Sequence, residues 1–123
     1  MERVLGMGGV FFKARDPQRL AEWYATHLGV PLDSGQTYGT FSASAGDQTV
    51  FSIFPENTTY YAPSTSPFMF NFRVSNLQAM LAQLRAAGAQ VDEHVEEADY
   101  GNFGWVMDPE RNRVELWEPP AGQ

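Results

Sequence analysis

Few side chains in this 123-residue sequence are equipped to move a proton or hold a metal: cysteine is absent and there are two histidines. The most suggestive charge is Glu115, which sits between the bulky apolar residues Val114 and Leu116 in a run that ends at Trp117. A carboxylate drawn into such a run loses water and must find a partner or hold its proton more tightly. It then serves as a general base or ligand anchor, or it closes an ion pair with Arg73, Arg113 or Lys13. His27 falls in a helical pattern and reads as a surface or core-edge side chain, whereas His94, in a strand-like run, has a face open to a cleft. The acid-rich segment 96–101, ending in Tyr100 and Gly101, suits either a rim that meets a cation or a solvated loop, and it lacks the spacing of a calcium loop. There is no nucleophile elbow, no HExxH and no phosphate-cradling glycine loop ahead of a helix. Gly6, Gly8 and Gly9 precede a strand, which excludes a dinucleotide fingerprint.

Charge narrows the partners. Fifteen acids against eight bases give a net charge of −7, which opposes nucleic-acid binding because that affinity rests on lysine and arginine releasing counterions. No apolar run approaches the ~20 residues of a membrane span, and a cysteine-free chain without a signal-like start is expected in the cytoplasm. Aromatic residues make up 14% of the chain and gather in segments 51–72 and 100–117, more than a core requires and suited to lining a pocket.

The elements that must position these residues come in two copies. Residues 10–24 return 60 positions later as 70–84, with Phe12 recurring as Phe72, Lys13 as Arg73, Asp16 as Asn76 and Leu20 as Met80. Each copy reads as a strand, a capping acid or amide and an amphipathic helix. Pro17 strengthens the first helix start, and Gly29 with Pro31 ends it. Leu20, Trp23, Tyr24, His27 and Leu28 share its apolar face. A short stretch at Leu32, strands over 38–43 and 49–54 joined across 44–47, and strands over 91–97, 102–107 and 113–117 complete an α+β domain of two βαβββ modules. Module one spans 1–57, a proline-rich linker 58–66 and module two 67–120. Tyr60 and Tyr61 argue against plain disorder in that linker.

Alternation assigns faces. Val10, Phe12 and Ala14, with Phe70, Phe72 and Val74, and with Val114 and Leu116, belong against the helices. Phe11 and Lys13, Met69, Asn71 and Arg73, and Glu115 and Trp117 belong to the opposite, cleft-facing side, together with Phe103 and Trp105, whose parity is ambiguous. These nine are the candidate ligand-binding residues. Lys13 and Arg73 favour an anionic ligand and the overall charge a cationic one. Local charge outweighs net charge because exposed charges beyond ~10 Å are screened.

The pattern over 15–30 and that over 103–119 resemble the vicinal oxygen chelate superfamily, which includes glyoxalase I, bleomycin-resistance proteins, fosfomycin-modifying enzymes and extradiol dioxygenases. The resemblance implies a partly closed, curled sheet with helices outside, usually in a homodimer. It also implies metal ligands on the inner strand faces. The positions seven residues before each capping residue, where relatives carry His or Gln, hold Gly9 and Met69, the last-strand Glu is Glu115, and a fourth position falls on Phe51 or Ser52. One ligand of three or four remains, and a lone carboxylate does not hold a divalent ion. The expectation is a metal-free protein without cofactor that binds a small molecule in the cleft, in the manner of bleomycin-resistance proteins. The alternative is a metal-dependent glyoxalase-type lyase or isomerase using Glu115, and a third reading is a scaffolding dimer with an incidental cleft. Arg111 stands where relatives commonly carry glycine, so Asn112 is expected to take the positive φ of that turn.

Overall fold

The structure, a computed structural model, describes residues 1–44 and 47–121; the side chains at 27, 28, 43, 44 and 47 lie outside that description. The expected role of His27 and the tip of the 44–47 connection therefore fall outside the described residues.

Local signals set the helices. Asp16 caps α1 (Pro17–Leu28) by accepting the Arg19 N–H at 3.1 Å, and Gly29, at φ 67°, ends it by donating to the Ala25 carbonyl. Asn76 caps α2 (Leu77–Ala86) through the Ala79 N–H at 3.0 Å, while the Glu118 carboxylate takes the Leu77 N–H at 2.7 Å. This second cap ties the helix to the last strand.

The strands are β1 (Gly6–Ala14), β2 (Tyr38–Ser44), β3 (Asp47–Pro55), β4 (Phe68–Arg73), β5 (Gln90–Val91), β6 (Glu96–Ala98), β7 (Gly101–Met107) and β8 (Arg113–Glu118). They form one mixed sheet in the order β2-β3-β1-β4-β8-β7-β5, with β6 also on β7. The fold is α+β. At the centre β1 and β4 run antiparallel; outward from them lie a parallel neighbour, β3 or β8, and then an antiparallel one, β2 or β7. The ladder ends at β2 and β5 and does not close.

Three details depart from the expected elements. The strand foreseen at Leu32 is a single bridge to Gly39, because Pro31 has no N–H to extend a ladder. The strand foreseen over 91–97 is split into β5 and β6 along one edge of β7. Between them the Asp92 carboxylate accepts the His94 N–H at 2.9 Å and folds the chain into a short turn. In the 108–112 turn Arg111 itself takes φ 65°, and the Asp108 carboxylate holds the loop through the N–H groups of Glu110 and Asn112.

The face assignments hold on the helix side for Phe72, Val74, Val114 and Leu116, which pack with Leu77, Met80 and Leu81 of α2, and for Phe12, which packs with Phe51 and Tyr24 beneath α1. Val10 and Phe70 are paired across the central junction but remain 42% and 44% exposed. The reason is that α1 lies over β1 and β3 and α2 over β5, β7 and β8, with a gap between. Among the described side chains of α1, Ala21 rather than Trp23 is the buried one. Leu81 is fully buried and lies against the Cα of Gly104 on β7. Leu81→Ala is expected to lower stability by about 2–5 kcal/mol, measured by urea unfolding. The half-exposed Phe41→Ala on edge strand β2 should change it by only about 0.5 kcal/mol.

Candidate functional site

Glu115 lies in an interior strand, opposite Asn71 on β4 and Trp105 on β7, and is 1% exposed. Three donors converge on it. Its Oε1 accepts the Tyr60 hydroxyl and, at 3.0 Å, the Trp105 Nε1–H; its Oε2 accepts Asn71 Nδ2 at 2.5 Å. The three bases considered as ion-pair partners are engaged elsewhere. Arg113 bridges Asp92 at 3.2 Å and lies over the Trp105 ring, Arg73 donates to the carbonyls of Met7 and Gln48, and Lys13 sits 5.0 Å from the Tyr61 ring centroid. Hydrogen bonds from neutral groups hold Glu115 in place of the ion pair that was one of its two readings. Burial pushes the Glu115 pKa up, and the three donors, with the Arg113 charge, offset part of that rise. The Tyr60 and Tyr61 hydroxyls are pushed far above the usual phenol value by burial and by the Glu115 charge, so they stay protonated.

Asn71 reaches Glu115 because of a glycine. The β1–β4 register shifts between Met7 and Gly9, and the intervening Gly8 lies so close to Asn71 that a Cβ there would collide with its Oδ1. Any side chain at position 8 would displace the amide. The Asn71 Oδ1 is itself buried without a hydrogen-bond partner.

These groups lie at the base of a cavity of about 710 Å³. Strands β1 to β3 contribute Phe11, Gln48, Val50, Ser52 and Phe54, with the exposed Tyr38 and Thr40 at the mouth; β6 to β8 contribute Glu96, Phe103 and Trp117, with Tyr100 from the turn between β6 and β7. Phe54 stacks on Tyr60 at 5.4 Å, and Phe103 stacks on Trp117 at 6.2 Å. A shallower hollow of about 680 Å³ over the start of α1 is lined by residues such as Arg15, Arg19 and Trp23, none of them buried. The less open cavity, with its buried polar base, is the better site.

Of the nine candidates, Phe11, Asn71, Phe103, Glu115 and Trp117 line the cavity. Trp105 touches Glu115 from behind, and its ring lines a separate pocket of about 230 Å³ beside Arg113. Met69 is buried in the aromatic cluster with Phe11 and Tyr61 and does not reach the cavity. Lys13 and Arg73 do not line it either, being held by Tyr61 and by backbone carbonyls. His94 is exposed and stacks on Trp105. Alternation carried no information on Tyr60, which lies outside any strand. Extending it through β2 and β3 would have found Tyr38, Thr40, Gln48, Val50 and Ser52, which share one face by register.

The donor set does not fit a divalent metal. In the row that crosses the sheet at Glu115 the facing residues are Trp105, Asn71, Gly9 and Val50. Met69 lies one step away opposite Phe11, Phe51 is under α1, and Ser52 is off the row. Both Glu115 oxygens accept hydrogens, whose positive ends point where a cation would have to sit. Among the described residues no three His, Asp or Glu side chains gather as a metal site.

The profile of the family described as glyoxalase-like domain matches residues 9–117. The chain belongs to that family. Among solved structures it is similar to methylmalonyl-CoA epimerase from Mycobacterium tuberculosis (22% identity, TM-score 0.64, covering 94% of this chain and 89% of that one). It is also similar to a single-residue variant of the Streptomyces coelicolor methylmalonyl-CoA epimerase in complex with 2-nitronate-propionyl-CoA (12%, TM-score 0.74, covering 97% and 100%). A third is a glyoxalase/bleomycin resistance protein/dioxygenase superfamily member from Vibrio splendidus 12B01 (13%, TM-score 0.59, covering 96% and 99%). At these identities the likeness is one of fold. No curated protein matches the sequence. Among the described residues no helix is long and apolar enough to cross a membrane.

The raised pKa of Glu115 has a measurable sign. Below its ordinary value of 4.5 the group is protonated folded or unfolded. Above that, and up to its native pKa, the folded protein keeps a proton that the unfolded chain has released, so stability falls as pH rises through this window and then levels. Asp92 and Asp108 are lowered from 3.8 and act with the opposite sign at more acid pH. Urea midpoints taken upward from pH 4.5 should show this decline in the wild type and a flatter profile in Glu115→Gln; equal slopes would place no raised carboxyl at position 115.

Proposed function

We propose that the protein binds a small organic molecule in the cleft over Glu115 without a metal and does no metal-assisted chemistry on it. The observation that carries this reading is the Glu115 carboxylate, buried at the base of an aromatic cavity and held by Tyr60, Asn71 and Trp105. In place of a metal centre it offers a fixed acceptor among apolar walls, which is the build of a small-molecule site. Support comes from the family and from the fold shared with proteins solved in complex with CoA derivatives. The reading includes a homodimer and a cytoplasmic setting.

Metal-stripped protein titrated with zinc, nickel, manganese and iron(II) should show no stoichiometric binding, and Glu115→Ala should behave as the wild type does. One ion bound per chain and lost in Glu115→Ala would overturn the metal-free reading in favour of a glyoxalase-type lyase. Sedimentation of the same samples at micromolar concentration should show a dimer; a monomer would remove that part of the reading.

A further inference from the structure

The cavity's own charges bear on the class of molecule it takes. Among the described residues that line it, Glu96 and Glu115 are the charged ones, and no lysine or arginine is present. The two bases expected to face a ligand are turned to other work: Lys13 lies over the Tyr61 ring, and Arg73 donates to two backbone carbonyls. Seven of the fourteen lining residues are aromatic, and ring faces carry the negative side of a quadrupole. Two stacked pairs, Phe54 with Tyr60 and Phe103 with Trp117, come from different parts of the chain and flank the buried carboxylate. The lining therefore presents two carboxylates and several ring faces with no lysine or arginine among them, the Arg113 charge reaching Glu115 from outside the lining.

We propose that the cleft selects a planar organic cation, such as an N-alkylated heteroaromatic or an aryl amidinium. Its ring lies among the two aromatic pairs, and its positive centre faces the cavity between Glu96 and Glu115, drawn by both charges without displacing the three donors that hold the Glu115 carboxylate. This rests on the cleft-binding reading above and deepens it. A cavity of about 710 Å³ is of the size that encloses drug-like ligands. The net charge of −7 adds a long-range attraction of the same sign. Ligands carrying phosphate or carboxylate, the CoA derivatives of the structural neighbours included, would meet two carboxylates and no compensating base in this cavity.

The test uses three bicyclic probes of similar shape with the whole protein at mildly alkaline pH, followed by calorimetry: N-methylquinolinium as the cation, quinoline as the neutral ring and 2-naphthoate as the anion. The cation is expected to bind about tenfold tighter than quinoline, the fold-change that a partly desolvated cation–π and carboxylate contact supplies, with naphthoate the weakest. Glu115→Gln should lower affinity for the cation severalfold and leave that for quinoline nearly unchanged. Glu96→Gln, at a half-buried position near the edge of the site, should do the same and keeps the test open if the position-115 variant fails to fold. Thr40→Trp, at an exposed position of the mouth, should block all binding. Equal affinity for the three probes, still lost in Thr40→Trp, would overturn the charge selectivity and leave the cleft reading standing. Cation binding that none of the three variants alters would be adsorption to the acidic surface and would overturn the inference, as would no binding of any probe. The metal-free reading stands or falls separately, on the metal titration.

Discussion

Burying a carboxylate in an interior strand is the constraint to which much of this molecule answers. An ionised group taken from water at that depth costs several kcal/mol unless donors meet it, and Glu115 draws them from three separate parts of the chain. Tyr60 arrives from the connection between β3 and β4, with its ring stacked on Phe54 and its own N–H bound to the Thr58 hydroxyl. Asn71 arrives from β4 through the space that Gly8 leaves. Trp105 arrives from β7, with Arg113 over its ring and His94 stacked upon it. Each donor is thus held by a second contact, and a hydrogen-bonded cradle supported in this way fixes one orientation of the acid.

The two sides of the sheet divide the work. The helix side carries the aliphatic packing of Val74, Leu77, Leu81 and Leu116, while the cleft side carries the aromatic cluster around Tyr61 and Met69. Because side chains alternate along each strand, the residues that stabilise and those that form the site are interleaved: Glu115 is flanked by Val114 and Leu116, which face α2. Its geometry is therefore held by the packing on the opposite face.

This interleaving also explains what was legible in the sequence. Helix starts at Asp16 and Asn76 are local events and were readable, as were the faces of β1, β4 and β8, since a period of two needs no tertiary information. The destination of long, flexible side chains was not. Lys13 and Arg73 do not line the cavity, because an aromatic ring and backbone carbonyls hold them elsewhere. Met69 lies on the correct face but too deep to reach the cavity, and depth has no periodic signature. Tyr60 escaped because a side chain in a connection has no parity, although an adjacent tyrosine pair in a proline-rich segment hinted at packing. The break between β5 and β6 depended on Asp92 turning to its own backbone, a choice that competes with strand pairing only in context.

The position of β8 has a consequence for how the protein comes into being. Of the eight strands it is the last to be synthesised, yet it is an interior one, paired on both sides by β4 and β7, and it carries the acid on which the cavity is built. During synthesis the N-terminal portion emerges first, but neither the central sheet nor the cradle around position 115 can be completed before β8 has left the ribosome. Until then β4 and β7 keep open edges and the aromatic walls have no base between them. The site is therefore a product of the whole domain, assembled once every strand is present rather than piece by piece as the chain emerges.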